Sequence, residues 1–128
     1  MIITLSSTIS IQSKLDLHVK VVEFVRKRYP NVIIIPGLGE LQFTDQVRIR
    51  AWQKGYTSGQ PDLILINTEG EDVGMAIEMK GPKANDPEAT DKQKVFMARL
   101  KKAGYKTVVS NSYDDILFEV IKYMEANR

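Results

Sequence analysis

Two short runs, Asp62 to Asn67 (DLILIN) and Val73 to Lys80 (VGMAIEMK), decide how the chain is read. Both are largely apolar, and the residues between them, Thr68-Glu69-Gly70-Glu71-Asp72, are polar with a central glycine, which predicts an antiparallel hairpin. Centring the turn on Gly70 puts Asn67 opposite Val73, Leu65 opposite Met75 and Asp62 opposite Glu78. Opposite residues in an antiparallel pair point to the same face, and Glu78 and Lys80, two apart on one strand, share that face as well. Three charged side chains therefore converge on an otherwise apolar hairpin.

Upstream, Ser13 opens a helical pattern with Leu17, Val21 and Phe24 on one stripe and His18, Val22 and Val25 beside it, ending near Tyr29-Pro30. Val32-Ile33-Ile34-Ile35 is β-branched and stops at Pro36-Gly37, which predicts a short buried strand. Thr44 to Lys54 is a second helical pattern, closed by Gly55, and Thr57 to Pro61 is a loop leading into Asp62. Downstream, the loop from Gly81 to Asn85 precedes a helix that starts between Asp86 and Thr90 and carries Phe96, Met97, Leu100 and Ala103. Lys106 to Ser110 is a strand, and Ser112 opens a last helix striped by Ile116, Leu117, Val120, Ile121 and Met124. The order of helix, strand, helix, strand, strand, helix, strand, helix predicts an α/β fold whose mixed sheet has a helical crossover between its last two strands. Residues 1–12 read as an extended N-terminal arm and residues 13–128 as the domain.

A length of 128 residues with 43% hydrophobic and 27% charged suits one soluble domain. The chain has no cysteine, which excludes thiol catalysis, Cys-ligated zinc and iron–sulfur chemistry and suits a reducing intracellular compartment. A formal charge of +2 is too mild to identify a polyanionic partner by itself. No apolar run approaches the roughly 18 residues of a membrane span, and Met1 to Ile11 has neither the basic start nor the continuous apolar segment of an export signal. An intracellular protein without a membrane partner is expected, with cytoplasm and nucleus not distinguished.

Two carboxylates held face to face repel. A divalent cation between them turns that repulsion into coordination, and hard oxygen ligands suit Mg²⁺. Lys80 lies about 6.5 Å along the strand from Glu78 at ~3.3 Å per residue, within reach of a metal-bound water or a phosphate oxygen. The plainer alternative makes Asp62 a turn residue after Pro61, and Glu78 and Lys80 a solvated ion pair.

Pro61-Asp62, Glu78-Met79-Lys80 and Gln93 resemble the motif of the PD-(D/E)XK nuclease superfamily, and Lys54-Gly55-Tyr56-Thr57-Ser58-Gly59-Gln60 is similar to its VRR-NUC branch. The likeness continues through Asp16-Leu17-His18, Asp91-Lys92-Gln93, Ala103-Gly104-Tyr105 and the segment from Ser112 to Tyr123, most of the chain from Asp16 onward. The resemblance implies a restriction-endonuclease-like mixed β-sheet core flanked by helices in a single domain, with metal-dependent endonuclease activity. On it, Asp62 and Glu78 hold Mg²⁺ or Mn²⁺, the Met79 backbone carbonyl is a further ligand, and Lys80 positions or activates the water. Asp62, Glu78, Lys80 and Gln93 form the expected catalytic set.

Members of the family often carry an acid three residues before the position of Leu17, where this chain has Lys14. Asp16 is the nearby acid, and it is either a metal ligand or the partner of Ser13 in a capping box. Thr90-x-x-Gln93 is also a capping-box pattern, although Gln93 shares a face with Met97 and Leu100 that turns it toward the sheet. His18 reads as a core or site-edge histidine rather than a ligand. Trp52 and Tyr56 could stack on a base or sugar, with packing the preferred reading.

Positive charge is local. Lys92, Lys94, Arg99, Lys101, Lys102 and Lys106 follow one another without an acid, and Arg48, Arg50, Lys54 and Lys83 lie on segments flanking the proposed site. Arg48, Arg50, Lys54, Lys83, Lys92 and Lys94 are the expected nucleic-acid-binding set. A chain this short has no room for a separate sequence-reading domain, so the expected activity is structure-selective DNA cleavage on branched or flap DNA. Stand-alone members of the family suggest a homodimeric Holliday junction resolvase. The alternative is a non-catalytic nucleic-acid-binding module that kept the fold.

Overall fold

The structure is a computed structural model, and it describes residues 10–38, 44–67, 73–81 and 89–126. Eight elements follow the expected order: α1 (Lys14–Arg28), β1 (Ile33–Pro36), α2 (Asp45–Gln53), β2 (Leu63–Ile66), β3 (Gly74–Met79), α3 (Asp91–Lys102), β4 (Tyr105–Ser110) and α4 (Tyr113–Ala126). Helix starts are set by side-chain caps: Ser13 accepts from the Asp16 N–H, Thr44 from the Val47 N–H and Thr90 from the Gln93 N–H. Each satisfies a backbone donor that a helix start leaves without a partner. Residues 68–72, 82–88 and 1–9, with the loop, the helix lead-in and most of the arm assigned to them, lie outside the described residues. Ile11, at the end of the arm, packs against the core.

The sheet runs β1-β2-β3-β4, antiparallel except for the parallel β3–β4 pair that α3 connects. Leu65 pairs with Met75 and Leu63 with Ile77, the register expected from a turn centred on Gly70. One position further along, Asp62 faces Glu78. Leu17, Val21 and Val25 of α1 and Ile116, Val120, Tyr123 and Met124 of α4 form one core with Leu63, Leu65, Met75, Ile77 and Met79. Alternation along β3 then turns Glu78 to the face opposite Ile77 and Met79. The α1–α4 layer is tied at its far end by Tyr29, whose hydroxyl donates to Glu125 at 2.9 Å. Among the described residues no helix is long and apolar enough to cross a membrane.

Three sequence expectations change. β1 is not buried: it is the edge of the sheet, and Ile33 and Ile35 are 50% and 44% exposed. Its β-branched residues favour extended backbone, but burial depends on a covering layer, and that layer lies over β2 and β3. On α1 the buried stripe is Leu17, Val21 and Val25, with Phe24 half-buried beside it. On α4, Tyr123 is buried and Ile121 is exposed.

Candidate active site

Asp62 sits immediately before β2, where its backbone is held on one side and its carboxylate on the other. Its carbonyl accepts from the Gly37 N–H at 2.8 Å, and its Oδ2 accepts from the Met79 N–H at 2.7 Å. A Cβ on Gly37 would lie 2.5 Å from the Pro61 carbonyl oxygen, so β1 reaches Asp62 only because residue 37 has no side chain. Glu78 enters from β3 and is 1% exposed; Asp62 is 6% exposed. Lys80 follows β3 directly, and its N–H still donates to the Ser110 carbonyl at 3.0 Å, which carries the strand alignment to the end of the motif.

Gln93, at the start of α3, joins these groups. Its Nε2 donates to Glu78 Oε2 at 2.8 Å, and its Oε1 accepts from Lys80 Nζ at 2.6 Å and from the Thr90 N–H at 2.8 Å. The capping box and the site contact are thus the same side chain in one conformation. Lys80 Nζ is also 3.7 Å from Glu78 Oε2. Asp62, Glu78, Lys80 and Gln93 converge in one connected cluster.

A second ammonium completes it. Lys14 Nζ, from the first turn of α1, lies 3.0 Å from Asp62 Oδ1 and 3.7 Å from Glu78 Oε2. Its position is legible in hindsight, because Lys14, Leu17 and Val21 share one helical stripe and that stripe faces the sheet. Burial and then the facing Asp62 carboxylate, helped by a hydrogen bond between the two, push the Glu78 carboxyl up from 4.5 to about 7, while Lys14 and Lys80 pull it down. Two nearly buried carboxylates facing each other are a fitting donor pair for a hard divalent cation. No group of three or more His, Cys, Asp or Glu side chains placed to hold a metal occurs among the described residues.

The model of the VRR-NUC domain family matches residues 38–114, more than half of the chain. The chain belongs to the VRR-NUC family. It therefore contains a nuclease-type domain. A solved structure described as a VRR_NUC domain protein is 21% identical and superposes with a TM-score of 0.66, covering 91% of this chain and 92% of that one, so the two share a fold. No curated protein matches.

Other expected residues of this VRR-NUC domain are placed as follows. Asp16 is engaged in the α1 cap, where its Oδ2 accepts from the Gln12 N–H at 3.1 Å and its N–H donates to Ser13 Oγ at 3.0 Å. The Met79 N–H donates to Asp62 Oδ2. Lys92 and Lys94 are exposed on either side of Gln93 in the first turn of α3. Arg48, Arg50 and Lys54 are exposed along α2 and its C-cap, with Arg48 ion-paired to Asp45. Lys83 lies outside the described residues. His18 is half-buried on α1. Trp52 is 70% exposed, against the packing role expected from its size, while Tyr56 is half-buried in a groove shared with Pro36, Gly37 and Val47.

Proposed function

We propose that this chain is a metal-dependent, structure-selective DNA endonuclease that hydrolyses phosphodiester bonds, with the fold and site logic of the PD-(D/E)XK superfamily. The supporting observation is the cluster in which Asp62 and Glu78 face each other, nearly excluded from solvent, with Lys80 and Gln93 hydrogen-bonded beside them. Asp62 and Glu78, with the Met79 carbonyl, would hold Mg²⁺ or Mn²⁺, which supplies Lewis-acid stabilisation of charge on the scissile phosphate. Lys80 orients the attacking water and donates to the negative charge that develops on the phosphate. Gln93 fixes the Lys80 ammonium relative to Glu78. Lys92 and Lys94 on one side and Arg48, Arg50 and Lys54 on the other hold the DNA backbone without reading its bases.

Branched DNA, a four-way junction or a flap, is the proposed substrate class. A homodimer places two sites for symmetric cutting of a junction. The test is a panel of four-way, flap, fork and linear substrates with Mg²⁺, Mn²⁺ or EDTA. Asp62→Ala, Glu78→Ala and Lys80→Ala are each expected to lose cleavage while retaining DNA binding; cleavage that survives in Glu78→Ala overturns the reading. Light scattering on the full chain should give twice the monomer mass at micromolar concentration, and a monomer removes the dimer.

Lys14 favours one second reading. With an ammonium in place of the family's usual acid, the chain could be a binding module that kept the nuclease fold, and it would then retain DNA equally well in EDTA and cut nothing in either metal.

A further inference from the structure

We propose that Lys14 is an internal stand-in for the metal: its ammonium contacts both Asp62 and Glu78 in the metal-free protein, and a divalent ion must displace it to bind. The inference deepens the proposed function and rests on it.

Three observations carry it. The Lys14 Nζ is 3.0 Å from Asp62 and 3.7 Å from Glu78, so a cation bridging the two carboxylates and this ammonium would claim the same volume. Like charges that close repel strongly, and Mg²⁺ requires its oxygen ligands at about 2.0–2.1 Å. Lys14 is also the first residue of α1 after the Ser13 cap, at the positive end of the helix dipole. A cation is disfavoured there, so the helix dipole does not favour this placement, whereas the carboxylate pair does. Finally, the two ammoniums of the cluster differ in how readily they can leave. The Lys80 side chain is 17% exposed and bonded to Gln93 at 2.6 Å, whereas the Lys14 side chain, 3.0 Å from Asp62, is 32% exposed. On metal loading Lys14 therefore swings toward solvent, where a phosphate backbone would lie, and Lys80 stays.

The measurement is Mn²⁺ affinity without DNA, by electron paramagnetic resonance of the free ion, on the parent, Lys14→Gln, Lys14→Arg and the distant control Lys27→Gln. Lys14→Gln should bind Mn²⁺ at least about tenfold more tightly, equivalent to about 1.4 kcal/mol, with Lys14→Arg and Lys27→Gln close to the parent. Equal affinity in the parent and Lys14→Gln overturns the inference and leaves the metal site standing; weaker binding in Lys14→Gln makes Lys14 a structural support and also overturns it. Absence of binding in every protein at millimolar Mn²⁺ overturns the metal reading and the inference together. Should Lys14→Gln fail to fold, the parent alone decides: Mg²⁺ titration should shift the Lys14 side-chain Cε resonance, and an unmoved resonance at saturation overturns the inference.

Discussion

Glu78 shows how one side chain links stability to chemistry. Its carboxyl ionises near 4.5 in an unfolded chain and is pushed up to about 7 in the folded one, first by burial and then by Asp62. Between those pH values the unfolded state has released a proton that the folded state keeps, so metal-free stability should fall as pH rises and level off above about 7. At ~1.4 kcal/mol per pH unit the full window is worth about 3 kcal/mol. Urea unfolding in EDTA from pH 4.5 to 8 checks this: the parent should lose stability across the window relative to Glu78→Gln, and parallel profiles would contradict it. Lys14 acts in the opposite sense. Removing its charge in Lys14→Gln leaves two facing carboxylates with less compensation, and in EDTA at pH 8 we expect a loss of about 1–2 kcal/mol, discounted because the ammonium is partly solvated. The facing carboxylates still repel, as the Asp62 contribution to the Glu78 shift records, and the Lys14 ammonium in contact with both offsets part of that repulsion.

Among the elements, α3 has the most demanding position, since its first turn must both start a helix and deliver Gln93 to Glu78 and Lys80. The loop before Asp62 sets that position by direct backbone contact. Gly59 has φ +94°, and a Cβ there would lie 2.5 Å from the Lys92 carbonyl oxygen and 3.1 Å from the Gln93 nitrogen. Gly59→Ala should therefore cost about 2 kcal/mol or more, combining the left-handed backbone with displacement of α3. A thermal melt reads the stability loss, and DNA cleavage should fall further than stability explains, because the Gln93 bridge moves with the helix. Gln93→Ala provides the comparison: losing the cap costs about 1 kcal/mol, while the Lys80 ammonium loses its fixed partner and activity drops with the fold intact. A variant that melts lower but cuts at the parent rate would show that Gln93 serves the helix alone.

At the scale of the whole molecule, a formal charge of +2 conceals a separation of sign. The acidic pair is buried, while Lys92, Lys94, Arg48, Arg50 and Lys54 are exposed on α3 and α2. Binding to DNA should weaken steeply with salt, and deleting one phosphate-binding side chain should reduce the slope of log K against log salt by about 0.9 on duplex arms. Fluorescence anisotropy at several salt concentrations with Lys92→Ala and Lys94→Ala tests this; unchanged slopes would move the DNA path away from α3. Such variants should lower affinity alike for different sequences, since phosphate contacts carry no base information.

Local pattern contains most of the architecture. Two apolar runs and a polar loop with a central glycine between them were enough to place Leu65 against Met75 and, one position beyond the paired residues, Asp62 against Glu78, because the length of the connection sets the register of a hairpin. Caps at Ser13 and Thr90 were legible because each satisfies a need of its own helix. Contacts between distant elements were not. The β-branched run of β1 specifies extended backbone but carries no information about whether a helix will cover it, and Trp52 is large and apolar yet 70% exposed. Gln93 read as either a cap or a site residue, and the packing of α3 against the Gly59 loop lets one amide both cap the helix and contact Glu78 and Lys80. Lys14 looked like a missing acid in the sequence. It joins the acidic pair through the seating of α1 on the sheet, which carries its ammonium to Asp62, just before β2, and to Glu78 on β3, and long-range electrostatic partners of that kind are chosen by tertiary packing.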